Sequence, residues 1–313
     1  PGGSAGVRLA GTLTLPEGKG PFAAVVLIAG SGANGRDEKV FGHAPFLVLA
    51  DHLTRHGVAV LRFDKRGVGQ STGDFAAATT ADFAADAEAG AAYLRSRPEI
   101  DRRRIGLIGH SEGGVIAPMV AERDPAIAFL VLMAGPGVRG DRIIMAQTRA
   151  IAAASGAPPA ALEAGEARQR RFLDVLMAAK DQAAAETAVR GMLEGRMPDA
   201  AVEAQVKVAA SPWYRSYIAY DPAPALRRLR IPVLALIGSK DLQVPPDQNL
   251  PALRAALAGD PRAEVAELPG LNHLFQPATT GSPAEYGQIE QTLSLIALDR
   301  ISSWILTKGA MAR

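Results

Sequence analysis

Apolar runs alternate along this chain with segments in which apolar residues recur at helical spacing. The run AAVVLIA at 23–29 is unbroken, as expected of a strand buried on both faces of a parallel sheet. Other apolar runs predict strands at 7–15, 58–63, 105–108, 127–133, 231–237 and 263–268. Strands that alternate with helices are typical of right-handed βαβ units. The pattern therefore predicts an α/β fold with a mainly parallel central sheet flanked by helices.

Start and stop signals define several of the predicted helices. One helix over 43–56 ends at Gly57. Another begins with the capping-box signature of Thr79 and Asp82. A final amphipathic helix is expected from about 283 to 305, on the spacing of its apolar residues.

The alternation stops between about 140 and 208, where no apolar run suggests a strand. This segment has the Ala-, Glu- and Arg-rich composition of helices, as in ALEAGEARQRRFLDVLMAAK. We expect a core made of 1–137 and 221–313, and a helical cap inserted at 138–220 over the carboxyl ends of the strands. Helices packed on the side of the core are the alternative.

The stretch IGLIGHSEGGVIAPM at 105–119 combines a short strand, the pattern G-x-S-x-G and the start of an apolar helix. This is the context of a nucleophile elbow, in which a serine projects from a sharp strand-to-helix turn. Gly109 and Gly113 let strand and helix approach closely. The sequence therefore predicts Ser111 as the nucleophile of a serine hydrolase.

The same short pattern occurs a second time, around Ser71 in GQSTG. Ser71 lies in a polar loop well after the strand at 58–63, and no apolar helix begins there. A lone G-x-S-x-G is a weak signal, so its context decides between the two copies. That context favours Ser111.

A serine nucleophile needs an adjacent base, and the base needs an acid to orient it. His273 follows the last predicted strand in a Gly-containing loop, where a base can reach over the sheet. The other histidines have less support as the base. His43 lies in a polar loop, and His52 and His56 lie on a helix. His110 is next to the serine, and its ring is expected to point away.

Asp241 follows the penultimate strand and is the predicted acid, since it completes the chain order of nucleophile, acid and base typical of α/β-hydrolase triads. Asp64 also follows a strand, but it precedes the nucleophile. Its neighbours Lys65 and Arg66 suggest a structural ion pair. Asp247 is better placed at a helix start.

An oxyanion needs two donors, and backbone N–H groups are the usual source. Glu112, the residue after the nucleophile, is expected to supply one of them. Ser31, in the loop after the first apolar strand, is expected to supply the other. Gly30 and Gly32 flank it and would let the backbone approach a substrate.

The composition of the chain argues against several classes of function. Lys and Arg total 34 and Asp and Glu 32, which gives a net charge of +2 and no basic stripe for nucleic acid. The chain has no cysteine, which excludes thiolate catalysis and zinc–thiolate sites. No apolar run approaches the roughly 20 residues that span a bilayer. PGGSAG at 1–6 suggests a flexible linker. A signal peptide and an earlier domain before it are the two alternatives, and removal of a signal peptide on export is the favoured one.

The motifs together resemble those of α/β-hydrolase esterases near the dienelactone-hydrolase and prolyl-oligopeptidase-like branch. The resemblance covers nearly the whole chain apart from the expected cap. The matching segments are AGSG at 29–32, RFDKRGVGQS at 62–71, GHSEGG at 109–114, SPWYRSYIAYDP at 211–222, PVLALIGSKDLQVP at 232–245 and GLNHLFQ at 270–276.

This resemblance implies hydrolysis of small carboxylic esters with no cofactor or metal. It also implies that the segment at 211–222 leads from the cap back to the sheet, with Trp213, Tyr214 and Tyr217 near the acyl pocket. Core packing of these aromatic residues is an equal alternative. One departure bears on the oxyanion donor, since many relatives carry His-Gly where this chain has Ala29-Gly30.

Two other functions stay open from the sequence. A serine peptidase or amidase would use the same triad, although the chain shows no propeller-like repeats. A binding protein on an inactive hydrolase scaffold is the third interpretation, and the complete set of triad candidates argues against it. Acyl length, alcohol preference, stereochemistry and oligomeric state are left undetermined.

Overall fold

The computed structural model describes residues 6–309, and the strands in this range form one sheet. In chain order they are β1 (Gly11–Thr14), β2 (Phe22–Ile28), β3 (Val58–Phe63), β4 (Ile100–His110), β5 (Phe129–Met133), β6 (Val233–Gly238) and β7 (Glu264–Leu268). The spatial order is β1-β3-β2-β4-β5-β6-β7. β1 is antiparallel to β3 and all other neighbours are parallel. The predicted α/β fold with a mainly parallel sheet is confirmed.

Helices occupy most of the remaining chain. They are α1 (Pro45–Arg55), α2 (Thr80–Ser96), α3 (Gly113–Arg123), α4 (Gly140–Ala154), α5 (Pro159–Ala178), α6 (Gln182–Leu193), α7 (Asp199–Ala209), α8 (Pro212–Ala219), α9 (Ala223–Arg228), α10 (Pro246–Leu257) and α11 (Leu295–Trp304). Helices α4 to α9 all lie between β5 and β6 in sequence. As predicted, the described chain from 140 to 208 is helical.

Alternate residues of the buried strands supply two apolar layers, one on each face of the sheet. Along β2, Ala24 and Val26 belong to the layer shared with α2, α3 and α10, whereas Val25 and Leu27 belong to the layer shared with α1 and α11. This is the alternation that a pleated strand imposes. Buried residues of the helices between β5 and β6, such as Leu173, join the first layer.

Two strands, β1 and β4, differ most in length from the prediction. β1 is shorter than 7–15, because the residues before Gly11 bond to the loop after β3, where Arg8 N–H donates to Thr72 Oγ1 and Ala10 N–H to Ser71 Oγ. β4 is longer than predicted and begins at Ile100. Residues 101–104 of this strand are charged, so the apolar pattern of the sequence did not reveal its first half.

The single helix predicted over 283–305 is wrong. The chain forms a 3₁₀ turn at Pro283–Gln288, leaves helical geometry, and starts α11 after Ser294. The intervening residues bond to the loop after β7 instead. Gln276 Nε2 donates to Gln291 O at 3.2 Å, and Ser294 N–H donates to Phe275 O at 2.9 Å.

Among residues 6–309, none of the helices has the length and apolar character needed to cross a membrane. All but the last residue of the linker predicted at 1–6 lie outside the described residues.

Candidate active site

Ser111 occupies the sharp turn between β4 and α3. Its φ is +53°, in the left-handed region that a non-glycine residue adopts only at a cost. A Cβ on Gly109 would lie 1.9 Å from Gly113 O, and one on Gly113 would lie 2.0 Å from Ile28 O. Both positions therefore require glycine, and the turn holds the half-buried Ser111 side chain beyond the end of β4.

His273 and Asp241 form a buried hydrogen-bonded pair after β7 and β6. His273 Nδ1 donates to Asp241 Oδ2 at 2.8 Å. The other carboxylate oxygen accepts from the backbone N–H groups of Gln243 and Val244, each at 2.8 Å. Because Nδ1–H faces a carboxylate, Nε2 is left as the ring atom that can accept a proton. Asp241 is only 1% exposed, so its orientation is fixed by these bonds.

One cavity of about 130 Å³ brings the predicted nucleophile and base together. Ser111, His273 and Ser31 all line it, while Asp241 lies behind His273. The remaining lining residues come from the loop after β2, the end of β4 and the loops after β6 and β7: Gly30, Asn34, Glu38, Val40, Phe41, His110, Gln243, Leu274 and Tyr286.

The loop after β2 reaches Ser111 because β2 and β4 are hydrogen-bonded neighbours, with Ile28 opposite Gly109. A Cβ added to Gly30 would lie 3.2 Å from Ser111 Cβ. Glu112 follows Ser111 directly and is the N-cap residue of α3, at the end of a helix that favours negative charge. Ser31 lines the cavity at Ser111, so both predicted oxyanion donors belong to segments that adjoin Ser111.

The rival nucleophile Ser71 has a structural role. Its hydroxyl donates to Asp64 O at 2.7 Å and accepts from Ala10 N–H at 2.9 Å. The first bond closes the loop after β3, and the second holds the segment before β1 against that loop. Ser71 does not belong to the residues that line the cavity at Ser111.

Asp64 also has a structural role, but not with the partners expected from the sequence. Arg36 binds both its carboxylate oxygens, with Nη2 2.7 Å from Oδ2. Burial alone would raise the pKa of Asp64, but hydrogen bonds from Arg36 and Gln70 hold it below its ordinary value. The expected pairing with Lys65 and Arg66 is wrong, because both side chains turn to other residues.

Three of the four remaining histidines are not among the residues that line the cavity at Ser111. His43 is buried between Thr292 Oγ1 and Tyr286 O. His52 and His56 stack on each other at the surface of α1, with ring centroids 4.1 Å apart.

His110 belongs to a buried pair that the sequence analysis missed. Its Nδ1 lies 3.0 Å from Glu38 Oε1, and its Nε2 donates to His273 O at 3.0 Å. Burial would lower the pKa of His110, but Glu38 and the His273 carbonyl raise it above its usual value. Glu38 lies in an irregular loop and has a φ of +51°, so no helical or strand periodicity in the sequence marks it.

The Glu112 side chain lies fully buried beneath the elbow. Its Oε1 accepts from Trp213 Nε1 at 2.8 Å and from Thr80 Oγ1 at 3.0 Å, and Lys65 Nζ lies 3.6 Å from Oε2. This carboxylate therefore joins α2 and α8 to the start of α3.

The three aromatic candidates of α8 have different environments. Trp213 lines a second cavity of about 560 Å³. Tyr217 is buried in the apolar layer, with its ring centroid 6.2 Å from that of Trp213. Tyr214 is partly buried, which raises the pKa of its hydroxyl to about 12. Trp213 thus lies at a cavity, whereas Tyr217 lies in the core.

Within residues 6–309, no group of three or more histidine, aspartate or glutamate side chains is arranged to hold a metal ion.

A model of the Alpha/beta hydrolase family matches residues 25–286. The chain belongs to this family. The match spans both the elbow at Ser111 and the loop of His273, and it agrees with the resemblance that the sequence motifs indicate.

The relatives of this alpha/beta hydrolase include an esterase. Esterase EstD of Thermotoga maritima is 27% identical over 303 residues, which cover 95% of this chain and 65% of that protein. The chain therefore spans about two thirds of the length of this curated relative.

Solved structures share the fold across almost the whole chain. Alpha/beta hydrolase GrgF from Penicillium sp. sh18 has a TM-score of 0.61 at 15% identity, with 99% of this chain and 97% of that chain covered. Est1E from Butyrivibrio proteoclasticus, solved with ferulic acid, has a TM-score of 0.57 at 16% identity, with coverages of 97% and 96%. At such identities the likeness establishes the fold alone.

Proposed function

We propose that this alpha/beta hydrolase is a serine carboxylesterase that acts on small-molecule esters through Ser111, His273 and Asp241. The observation that carries the proposal is the meeting of Ser111 and His273 in one cavity, with His273 hydrogen-bonded to a buried carboxylate. The esterase relative supports ester hydrolysis over other hydrolase chemistry.

In the proposed reaction, Ser111 Oγ attacks the ester carbonyl carbon and His273 Nε2 takes the hydroxyl proton. Asp241 holds the imidazole and stabilises its charged form. The N–H groups of Ser31 and Glu112 bind the oxyanion of the tetrahedral intermediate. The intermediate then collapses and breaks the bond to the alkoxy group, which leaves as the alcohol with the proton from His273.

The second half of the reaction repeats these roles with water. His273 Nε2 removes a proton from water, which attacks the acyl carbon of the ester formed on Ser111. The tetrahedral intermediate expels Ser111 Oγ, which regains its proton from His273. A carboxylic acid is released and the free enzyme is restored.

The helices between β5 and β6 serve in this proposal as the cap that was predicted at 138–220. The cavity of about 560 Å³ is lined by α7 and α8 residues on one side and by Gly32 and Ala33 on the other. Ser31 links these two residues to the cavity at Ser111. We assign the larger cavity to the apolar part of the ester, since ligand sites are mostly apolar clefts of this size.

The proposal is tested by the hydrolysis rate of p-nitrophenyl butyrate in Ser111→Ala beside wild type and Ser71→Ala. Ser111→Ala should lose about 10³-fold or more of kcat, because the nucleophile is removed. Ser71→Ala, which changes the other G-x-S-x-G serine, should lose stability but keep its turnover. Full activity in Ser111→Ala would contradict the assignment.

A matched amide separates the esterase from a peptidase or amidase on the same triad. We expect butyryl-p-nitroanilide to be hydrolysed far more slowly than the ester. Labelling of Ser111 by a fluorophosphonate, located by peptide mass spectrometry, would show a competent nucleophile. Failure of wild type to react with the probe would favour a binding protein.

A further inference from the structure

Both polar groups of the Gly30 backbone contact buried charged side chains. Its N–H donates to Glu38 Oε1 at 2.5 Å, and its carbonyl oxygen accepts from Lys65 Nζ at 2.6 Å. Asn34 Nδ2 reaches the same carbonyl oxygen at 2.9 Å. Lysine is rarely buried, yet the Lys65 side chain is only 5% exposed. A buried lysine directed at one backbone carbonyl points to a role for that carbonyl.

The role follows from the geometry of the peptide unit. The bond between Gly30 and Ser31 is trans, so the Gly30 C=O and the Ser31 N–H lie in one plane and point in opposite directions. A donor that fixes the carbonyl on one side therefore fixes the N–H on the other side. The Ser31 N–H is the donor assigned above to the oxyanion.

The Lys65 amine also lies close to a carboxylate and to an aromatic ring. Its Nζ lies 3.6 Å from Glu112 Oε2 and 4.5 Å from the centroid of the Phe83 ring. Burial lowers the pKa of Lys65, whereas Glu112 and Glu38 favour the protonated form. The amine can donate to the Gly30 carbonyl in either protonation state, so the contact does not depend on the charge.

We propose that Lys65 is a positioning residue of the oxyanion hole, which orients and polarises the Ser31 N–H through the Gly30 carbonyl. A donor on the carbonyl oxygen draws electron density through the amide and strengthens the N–H as a donor, as in any chain of hydrogen bonds. Lys65 touches neither the substrate nor the reacting atoms. The inference rests on the proposed function, because it concerns the same oxyanion.

The test measures the hydrogen bond at the oxyanion hole directly. The serine of the purified protein is acylated with trans-cinnamoylimidazole, and the carbonyl stretch of the acyl-enzyme is recorded by Raman spectroscopy. In Lys65→Met this stretch should move to higher wavenumber, because a weaker donor polarises the carbonyl less. With p-nitrophenyl butyrate, kcat should fall about 10- to 100-fold while KM changes less than about threefold.

Arg66→Met is the matched control, since Arg66 is the next residue and also carries a buried cation. Its guanidinium binds Asp82 and Asp86 of α2. We expect a lower Tm in this variant and a carbonyl stretch like that of wild type. An unchanged stretch in Lys65→Met, or an equal shift in Arg66→Met, would overturn the proposal.

Lys65→Met leaves Glu112 without its buried cation and can fail to fold. The double variant Lys65→Met/Glu112→Gln removes both charges and keeps an oxygen for Trp213 and Thr80. It should show the same upward shift of the carbonyl stretch, and a wild-type stretch there would overturn the role of Lys65. A wild-type protein that is not acylated at Ser111 would instead refute the proposed function.

Discussion

Ser111, Glu38 and Phe275 all have left-handed backbone conformations, with φ of +53°, +51° and +60°. Such a conformation costs a non-glycine residue on the order of 1 kcal/mol, and it persists only where the surroundings determine it. Each of the three lies in a segment that lines the cavity or holds His273. Strained backbone is therefore present in each of the three segments that meet at this cavity.

The buried pair of Glu38 and His110 connects these loops at the level of single atoms. Glu38 Oε1 accepts from the Gly30 N–H as well as facing His110 Nδ1. His110 Nε2 then donates to the backbone of His273. One pair of side chains thus joins the loop after β2, the end of β4 and the loop after β7.

His110→Gln tests this pair through the pH dependence of stability. The pKa of His110 is raised in the folded protein. The stability that its protonated form contributes is therefore complete below the ordinary pKa of about 6.5, and it is lost as the pH rises through the raised pKa. The difference in unfolding free energy between wild type and His110→Gln should therefore shrink with rising pH. Denaturant unfolding between about pH 5 and 9 measures it.

Glu38→Gln supplies the control for this measurement. In a Glu38→Gln background, His110 no longer faces a carboxylate, and the effect of His110→Gln should lose most of its pH dependence. A difference that stays constant with pH in the wild-type background would contradict the ion pair.

At the scale of elements, three helices converge on the Glu112 carboxylate. Glu112 is the N-cap residue of α3, α2 donates through Thr80 and α8 donates through Trp213. The backbone of Glu112 lies beside Ser111, so the position of α8 is coupled to the nucleophile elbow through one buried side chain. A shift of α8 would therefore be felt at the elbow.

Trp213→Phe should lower the free energy of unfolding by about 1–3 kcal/mol, because a buried carboxylate oxygen loses a donor. It should also lower kcat toward p-nitrophenyl butyrate several-fold, since the elbow loses its contact with α8. Chemical denaturation and steady-state kinetics measure the two effects.

Trp304→Phe is the matched control, because the chain has two tryptophans and each donates to a glutamate. Trp304 bonds to the partly exposed Glu264 at the edge strand β7. This variant should lose stability with kcat unchanged. Equal loss of kcat in both variants would argue against a special role for α8.

At the scale of the whole molecule, the cavity of about 560 Å³ lies between the sheet loops and the helices inserted after β5. Gly32, Phe75 and Ala76 line it from the sheet side, and Lys207, Val208 and Trp213 from the helical side. Neither part of the chain forms this cavity alone. Substrate range is therefore expected to depend on how the two parts are joined.

Ala76→Trp should narrow this cavity, because Ala76 is exposed and lines it. We expect KM for p-nitrophenyl octanoate to rise about tenfold or more, with little change for the acetate. Ala77→Trp, at the next exposed position and outside the residues that line the cavity, should leave both values near those of wild type. The same KM for octanoate in all three proteins would contradict the assignment of the cavity.

The sequence predicted the sheet well because its buried strands are unbroken apolar runs. The capping box of Thr79 and Asp82 was equally clear, and the structure contains both of its hydrogen bonds. The charged start of β4 and the break before α11 were missed. In both cases partners distant in sequence, such as Phe22 beside Ile100, decide the local conformation.

The candidate site was predictable where a motif or a strand end marks a residue, as for Ser111, Asp241 and His273. Glu38 and Lys65 lie in irregular loops, and their contacts with Gly30 depend on how β2, β3 and the following loops pack in three dimensions. Adjacency in sequence also gave a wrong ion pair, because Asp64 pairs with Arg36 and not with the adjacent Lys65 or Arg66.

β5 and β6 are hydrogen-bonded neighbours, with Met133 opposite Leu236, although all of α4 to α9 lies between them in sequence. The sheet therefore fixes both ends of this inserted helical segment at adjacent points. The entropy of closing a loop grows only slowly with its length. A helical segment of another length or sequence is therefore expected to be tolerated between β5 and β6, provided that it keeps the contact of Trp213 with Glu112.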